Sequence, residues 1–211
     1  QTPGEKGTHQ MQSSHSLDRL SVAFSDSRAV ADAGLVLPAT LAEKLGLREL
    51  YDQAVDLGDA PGRGNVGVKA LTLIYSALSG GDCIDDAGVL RAGRTQAVLG
   101  QEVRAPSTLG TFLRSFRWGH ALQLDVVSRE ALSRAWRLGA GPGDGPLTID
   151  LDSTICETYG LAKAGGSRFT YTHVRGYHPL LAVLPETGEV VHAQLRGGPA
   201  HTAQGVARFI A

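Results

Sequence analysis

The stretch Leu147–Leu161, LTIDLDSTICETYGL, carries the pattern that decides the fold of this 211-residue chain. Apolar and polar residues alternate in it, which predicts a β-strand over Leu147–Ser153. Three apolar side chains on one face of that strand are predicted to enter a core: Leu147, Ile149 and Leu151. Asp150 and Asp152 then share the opposite face, where their carboxylates offer the hard oxygen ligands that Mg²⁺ or Mn²⁺ prefers. The spacing alone leaves open a plain alternative, a strand that runs into an Asp-capped turn.

The segment after this strand predicts two more strands and a helix. Gly176–Ile210 reads GYHPLLAVLPETGEVVHAQLRGGPAHTAQGVARFI. Its apolar runs predict strands over about Tyr177–Leu184 and Val190–Leu195, joined by a tight turn at Pro185–Gly188. The Gly-Gly pair that follows ends the last strand, and a helix is predicted to begin near residues 199–202.

Several sequence blocks occur here in a characteristic order. They are Asp-x-Asp-Ser-Thr, Gly-Tyr-His-Pro-Leu-Leu-Ala, Gly-Glu-Val-x-His-Ala and Arg-Gly-Gly-x-Ala before an Ala/Arg-rich helix. In this order the blocks resemble the DDE transposases of bacterial insertion sequences, group 1 type. The resemblance is strong over residues 147–211 and looser from about Phe24 onward. It implies that residues 147–211 open a ribonuclease H-like catalytic domain, with three strands and then a helix.

The resemblance also implies a chemistry and partners. Such enzymes cut and join double-stranded DNA, at terminal inverted repeats and at a target, by phosphoryl transfer with two Mg²⁺ or Mn²⁺ ions. Asp152 matches the first catalytic acid and metal ligand, and Asp150 is the second choice. The family's second Asp and its Glu belong to later segments, so the chain is expected to be an N-terminal fragment that lacks the complete triad and is inactive alone. The alternative function is a noncatalytic fragment that binds transposon ends or inhibits transposition.

The residues before this region predict helices. Leu41–Leu45 is a predicted short helix with a capping box at Thr40 and Glu43, and an apolar face follows at Leu47, Leu50, Tyr51 and Ala54. Further helices are predicted over Val66–Leu78, after an N-cap at Ser107, and over about Leu122–Leu138. The breaker GAGPGDGP at Gly139–Pro146 separates the two patterns. The fold class is therefore α+β, with a disordered tail at 1–24, a helical DNA-binding or dimerisation part at 25–139, and the β-led part at 147–211.

Charge is distributed unevenly along the chain. The net charge is −1, yet Ala87–Arg137 holds eight arginines against three acids. An excess of arginine favours contact with DNA phosphates, and Arg114 and Arg117 are predicted on the outer side of their helix. Three more basic residues follow the first strand and are candidates for contact with the DNA backbone: Lys163, Arg168 and Arg175. The alternative is an ordinary helical surface on which arginine stems cover apolar neighbours.

Other features exclude several classes. No apolar run approaches 18 residues and no basic, then apolar, leader opens the chain, so neither a membrane span nor a secretory leader is expected. The resemblance to bacterial transposases implies a location in the bacterial cytoplasm. Cys83 and Cys156 are expected to be buried thiols. The GxGxxG at Gly62–Gly67 lacks the preceding strand that a dinucleotide site needs. The histidines between 173 and 201 lack metal-site spacing, and Asp82–Asp86 fits an acidic helix start better than a metal loop.

Overall fold

The computed structural model describes residues 26–160, 163 and 166–210, so the predicted disordered tail at 1–24 lies outside the described residues. Helices come first. They are α1 (Val36–Lys44), α2 (Leu47–Ala54), α3 (Val66–Leu78), α4 (Thr95–Val98), α5 (Pro106–Arg114) and α6 (Trp118–Ala135). Short 3₁₀ turns lie at Ala33–Leu35 and Asp86–Arg91, and a π turn at Trp136–Ala140 continues α6.

Strands follow in two small sheets. They are β1 (Asp150–Ser153), β2 (Cys156–Glu157), β3 (Arg168–Phe169), β4 (Arg175–Tyr177), β5 (Leu180–Leu184) and β6 (Glu189–Gln194), and the helix α7 (Val206–Ile210) comes last. The larger sheet has the order β1-β5-β6 and the smaller one β2-β4-β3, and all pairings are antiparallel. This mixture of helices and antiparallel sheets confirms the α+β class.

The predicted helices agree with the structure where apolar periodicity is strong. Helix α3 spans the predicted Val66–Leu78, and α2 carries the predicted apolar face. The predicted caps are wrong. Helix α1 begins at Val36, and Pro38 is tolerated in its first turn because the backbone N–H that proline lacks has no helical partner there. Thr40 therefore lies inside the helix, where its Oγ1 donates to the Val36 carbonyl at 2.7 Å instead of capping the N-terminus. Ala105, not Ser107, is the N-cap of α5, with Pro106 at the first helical position.

The predicted first strand is too long. β1 begins at Asp150, and Leu147 and Ile149 are 50% and 56% exposed instead of buried. The register explains the difference: Asp150 pairs with Val183, so residues before Asp150 lie opposite the end of β5 and the turn after it. The predicted turn at Pro185–Gly188 is present, with Gly188 at a φ of 73°.

The predicted second strand is divided between the two sheets. β4 ends at Tyr177 and β5 begins at Leu180, because Pro179 cannot donate a hydrogen bond and the His178 N–H donates to the Arg196 carbonyl at 3.1 Å. The helix expected near residues 199–202 begins only at Val206. Three carbonyls of the intervening loop accept from the Arg196 guanidinium instead of continuing a helix: those of His201, Thr202 and Gln204.

The helical part contains both hydrophobic clusters of the described residues. One gathers Leu71, Tyr75 and Leu90 with their neighbours. The other centres on Phe112 and Val127 and joins α2, α3, α5 and α6. Helix α6 also packs against β6, where Asp125 lies 3.0 Å from His192 Nδ1 and Trp136 Nε1 donates to the Glu189 carboxylate at 3.3 Å.

Candidate nucleic-acid and metal site

Asp150 and Asp152 are both exposed on β1. Burial along the strand alternates, with Leu151 and Ser153 partly buried between and after the two acids, as expected if the carboxylates share the outer face. Asp152 Oδ1 accepts a hydrogen bond from the Ser153 backbone N–H at 2.7 Å. Among the described residues no basic side chain forms a salt bridge with either acid. Both carboxylates therefore remain available as ligands.

The donor set suits a hard divalent cation but is small. Two exposed carboxylates provide the oxygen ligands that Mg²⁺ takes together with several waters. Within residues 26–160, 163 and 166–210, no third His, Cys, Asp or Glu converges on them, since the one such group of three is Asp82, Cys83 and Asp86. Asp150 and Asp152 fit one such ion, and a two-metal centre would need further carboxylates.

The sequence blocks that follow β1 meet in space beside its last residue. His178 is 1% exposed, and its Nε2 lies 3.1 Å from Ser153 Oγ while its Nδ1 lies 2.5 Å from the Ala200 carbonyl oxygen. A carbonyl can only accept, so Nδ1 carries the proton, and Nε2 of the neutral ring accepts from the Ser153 hydroxyl. The block containing His178 and the block ending at Ala200 are thus joined to the strand that carries Asp152.

Arg196 joins His178 to the loop that precedes α7. It is 7% exposed, its Nε donates to the His178 carbonyl at 2.9 Å, and its Nη1 donates to the loop carbonyls named above. No carboxylate of the described residues pairs with it, and its buried Nη2 makes no hydrogen bond there. Desolvation lowers the pKa of the Arg196 guanidinium from its ordinary value.

Two glycines permit the close approach of these segments. A Cβ on Gly198 would lie 2.2 Å from the Arg168 carbonyl oxygen, and one on Gly176 would lie 2.4 Å from that of Cys156. An isolated bridge also pairs Tyr177 with Gly197. Sequence reasoning recognised Gly198 only as part of a strand-breaking pair and Gly176 only as the start of a sequence block. It treated His178 as one histidine of a loose group. A buried His–Ser contact between residues 25 positions apart leaves no local signal.

Three of the predicted DNA-binding residues line one cleft. Arg114 and Arg117, from the end of α5 and the start of α6, line a cleft of about 560 Å³ together with Lys163. Aromatic and apolar side chains from both parts of the chain complete its lining: Leu113, Phe116, Trp118, Tyr159, Tyr177 and Leu195. Cationic side chains beside aromatic rings suit nucleic-acid contact, since they meet phosphates and bases respectively.

Arg168 and Arg175 do not line this cleft. Arg168 is exposed on β3, next to the exposed Phe169. Arg175 is partly buried on β4, and its Nε makes no hydrogen bond with the described residues. The five predicted basic contacts therefore divide into three that converge and two that lie apart on the smaller sheet.

The remaining sequence motifs have structural explanations. Lys69 is buried, and its Nζ donates to the carbonyls of Gly62 and Gly64 and lies 5.4 Å from the Phe112 ring centroid. Desolvation is the main cause that lowers the pKa of Lys69, and Arg104 adds to it. The GxGxxG segment is a loop over residues 62–65 that leads into α3; Lys69 of α3 bonds back to this loop, and among the described residues no strand precedes it.

The predictions for the cysteines and the acidic segment have different outcomes. Cys83 and Cys156 are free but exposed, so the prediction that they are buried is wrong. Asp86 begins a 3₁₀ turn, as its interpretation as a helix start requires. Its carboxylate accepts from the backbone of Asp82 and Cys83, which lowers the pKa of Asp86.

Comparison with known proteins identifies the family. The chain matches the family described as transposase DDE domain group 1 over residues 12–211, which includes the helical part as well as the strands. It therefore belongs to this transposase family. No curated protein and no solved structure matches the chain. Among the described residues, no helix is both long enough and apolar enough to cross a bilayer.

Proposed function

We propose that this chain binds double-stranded DNA and supplies the first metal ligands of a transposase that cuts and rejoins DNA. The observation that carries the proposal is the cleft in which Arg114, Arg117 and Lys163 meet four aromatic rings. Membership of a transposase family makes DNA the substrate class that fits such a cleft. The expected DNA partners are terminal inverted repeats and target DNA, and a homodimer in the bacterial cytoplasm is part of the proposal.

The proposed chemistry starts at β1. Asp152, with Asp150 as the second choice, would hold Mg²⁺ or Mn²⁺, which supplies Lewis-acid activation of a phosphate and of a water or 3′-hydroxyl when bound. The two acids stand free of salt bridges with the described residues, which supports this role. The antiparallel order β1-β5-β6 followed by a helix also supports a ribonuclease H-like domain, because such domains open in this way.

A second candidate function is DNA binding without catalysis. Three cationic side chains line the cleft, whereas the carboxylate pair on β1 is short of what two metal ions need. We therefore expect this chain alone to bind DNA and to show no strand cleavage with Mg²⁺ or Mn²⁺. Such a molecule could occupy transposon ends or inhibit a complete transposase.

The test is DNA affinity of the Arg114→Ala/Arg117→Ala variant, measured by fluorescence anisotropy with a labelled duplex across a range of salt concentrations. Loss of two phosphate contacts should weaken binding to all sequences and reduce the slope of log affinity against log salt by about 0.9 for each contact. Arg91→Ala/Arg94→Ala removes the same charge from exposed positions outside the cleft and is the matched control. Equal affinity and salt slope for the two double variants would contradict the proposal.

A further inference from the structure

We propose that His178 is a positioning residue for Asp152 and that it acts through the Ser153 hydroxyl. The inference rests on the proposed metal role of Asp152 and adds to it two residues that hold the end of β1. His178 does not touch the outer face of the strand where the carboxylates lie, so its effect on a bound cation is indirect.

The first step is that His178 itself is held at every polar atom. Its backbone N–H donates to the Arg196 carbonyl at 3.1 Å, and its own carbonyl accepts from Arg196 Nε at 2.9 Å. Its Nδ1 donates to the Ala200 carbonyl, and its Nε2 is left as an acceptor. The ring of Tyr171 covers it, with centroids 5.6 Å apart. A buried ring with all its groups satisfied has one orientation.

The second step is that this ring restrains Ser153. The Ser153 hydroxyl donates to Nε2 at 3.1 Å, and Ser153 is the last residue of β1, paired with Leu180. The next residue is tied to the same segment, since the Thr154 N–H donates to the Pro179 carbonyl at 3.3 Å. The backbone at the end of β1 is therefore fixed from the His178–Pro179 side.

The third step connects Ser153 to the carboxylate. The Ser153 N–H donates to Asp152 Oδ1 at 2.7 Å, so the position of that amide orients the carboxylate on the outer face. Removing a residue that hydrogen-bonds and orients a metal ligand typically lowers metal affinity about 10- to 100-fold. His178, Ser153 and Asp152 thus form a chain from the buried interior to the proposed ligand.

The test measures Mn²⁺ binding from the electron paramagnetic resonance signal of free Mn²⁺, with the full chain. His178→Asn keeps an amide donor near the Ala200 carbonyl but cannot reach Ser153, whereas His178→Gln can reach Ser153. We expect Ser153→Ala and His178→Asn each to weaken Mn²⁺ binding about tenfold. The double variant should be no weaker than either single variant, and His178→Gln should recover most of the affinity. His173→Asn, at an exposed histidine with a φ of 63° that Asn accepts, is the matched control.

A second measurement does not depend on the metal. Amide hydrogen exchange at position 153, relative to the intrinsic rate for the residue there, should accelerate in His178→Asn and in Ser153→Ala but not in His173→Asn. The reason is that the restrained amide is the one that holds Asp152. Unchanged exchange and unchanged Mn²⁺ affinity in Ser153→Ala would overturn the proposal, and so would losses that add in the double variant. The Asp152→Asn variant separates the hypothesis that Asp152 binds metal from the hypothesis that His178 positions Ser153. If it leaves Mn²⁺ affinity unchanged, the metal role in the proposed function fails, while the exchange data still decide whether His178 positions Ser153.

Discussion

The helical part at residues 33–135 and the strand part at residues 150–210 are stabilised in different ways. The helical part contains both apolar clusters, with Tyr75, Leu109 and Phe112 almost fully buried. In the strand part four buried apolar residues stand beside four buried polar ones: Leu180, Ala182, Leu184 and Ala200 beside Ser167, Thr170, His178 and Arg196. The proposed chemistry thus lies on the part of the chain with the larger share of buried polar residues.

The difference has a physical consequence. Apolar burial is non-directional and tolerates small shifts, whereas a buried polar group is costly unless each hydrogen bond keeps its geometry. The strand part therefore has few ways to rearrange around β1 without losing hydrogen bonds at His178 or Arg196. Such rigidity is useful beside a metal ligand, which must be held in place to bind an ion well.

The largest expected effect is on the helical core. Phe112→Ala should lower the free energy of unfolding by about 4 kcal/mol, because it removes a fully buried ring and leaves a cavity. The ring packs edge-on against Phe116 at 5.1 Å, and this contact is lost as well. Urea denaturation followed by circular dichroism at the helical signal measures the change.

Leu113→Ala is the matched control, since Leu113 is the next residue on the same helix and is 45% exposed. It should change the free energy of unfolding by no more than about 0.5 kcal/mol. A loss of unfolding free energy below about 1 kcal/mol for Phe112→Ala would contradict the view that apolar burial stabilises the helical part, because truncating a buried Phe in an apolar core costs more than that.

The next effect concerns backbone contact in the strand part. Gly198→Ala places a methyl group against the carbonyls of Arg168 and Gly176, at 2.2 and 2.6 Å in the present geometry, so the segments must separate. We expect a loss of about 3 kcal/mol, at the upper end for overpacking. Hydrogen exchange should accelerate at β5 and stay unchanged at α3.

Gly143→Ala serves as the control, because a Cβ there meets open space. Equal acceleration in α3 and β5 for Gly198→Ala would show that the two parts unfold as one unit. In that case the helical and strand parts would differ in the residues they bury but would not differ in stability.

The same distinction explains what the sequence could predict. Helices α2 and α3 were predictable because their apolar spacing is a local property, and the hairpin at Pro185–Gly188 was predictable from its turn residues. The start of β1 was not, because it depends on where its partner β5 turns away. The start of α7 depends on Arg196, whose side chain takes loop carbonyls from a position well before the helix.

In the candidate site, too, local patterns were predictable from the sequence and long-range contacts were not. The alternation that puts Asp150 and Asp152 on one face is local, and the burial along β1 agrees with it. Which basic residues converge depends on how α5 and α6 pack beside the strands, so Arg114, Arg117 and Lys163 could not be separated in advance from Arg168 and Arg175. The contact between His178 and Ser153 is likewise a product of tertiary structure.

The smallest expected effect concerns the contact between the two parts. Asp125 on α6 lies 3.0 Å from His192 Nδ1 on β6, and the His192 ring stacks on Phe209 of α7 with centroids 4.5 Å apart. A double-mutant cycle with Asp125→Ala and His192→Ala should give a coupling of about 0.5 kcal/mol, as is usual for partly exposed ion pairs.

Asp125 also pairs with Arg129 at 3.0 Å within α6, and that pair is the control cycle. Its coupling should be of similar size, about 0.3–0.5 kcal/mol, as is usual for pairs four residues apart on a helix surface. A His192 coupling of zero would leave the contact of Trp136, in the π turn after α6, with Glu189 as the remaining polar link described between these helices and β6. The helical and strand parts would then be joined mainly by packing, and a change in the polar network around His178 would have little effect on the helices that form the other wall of the cleft.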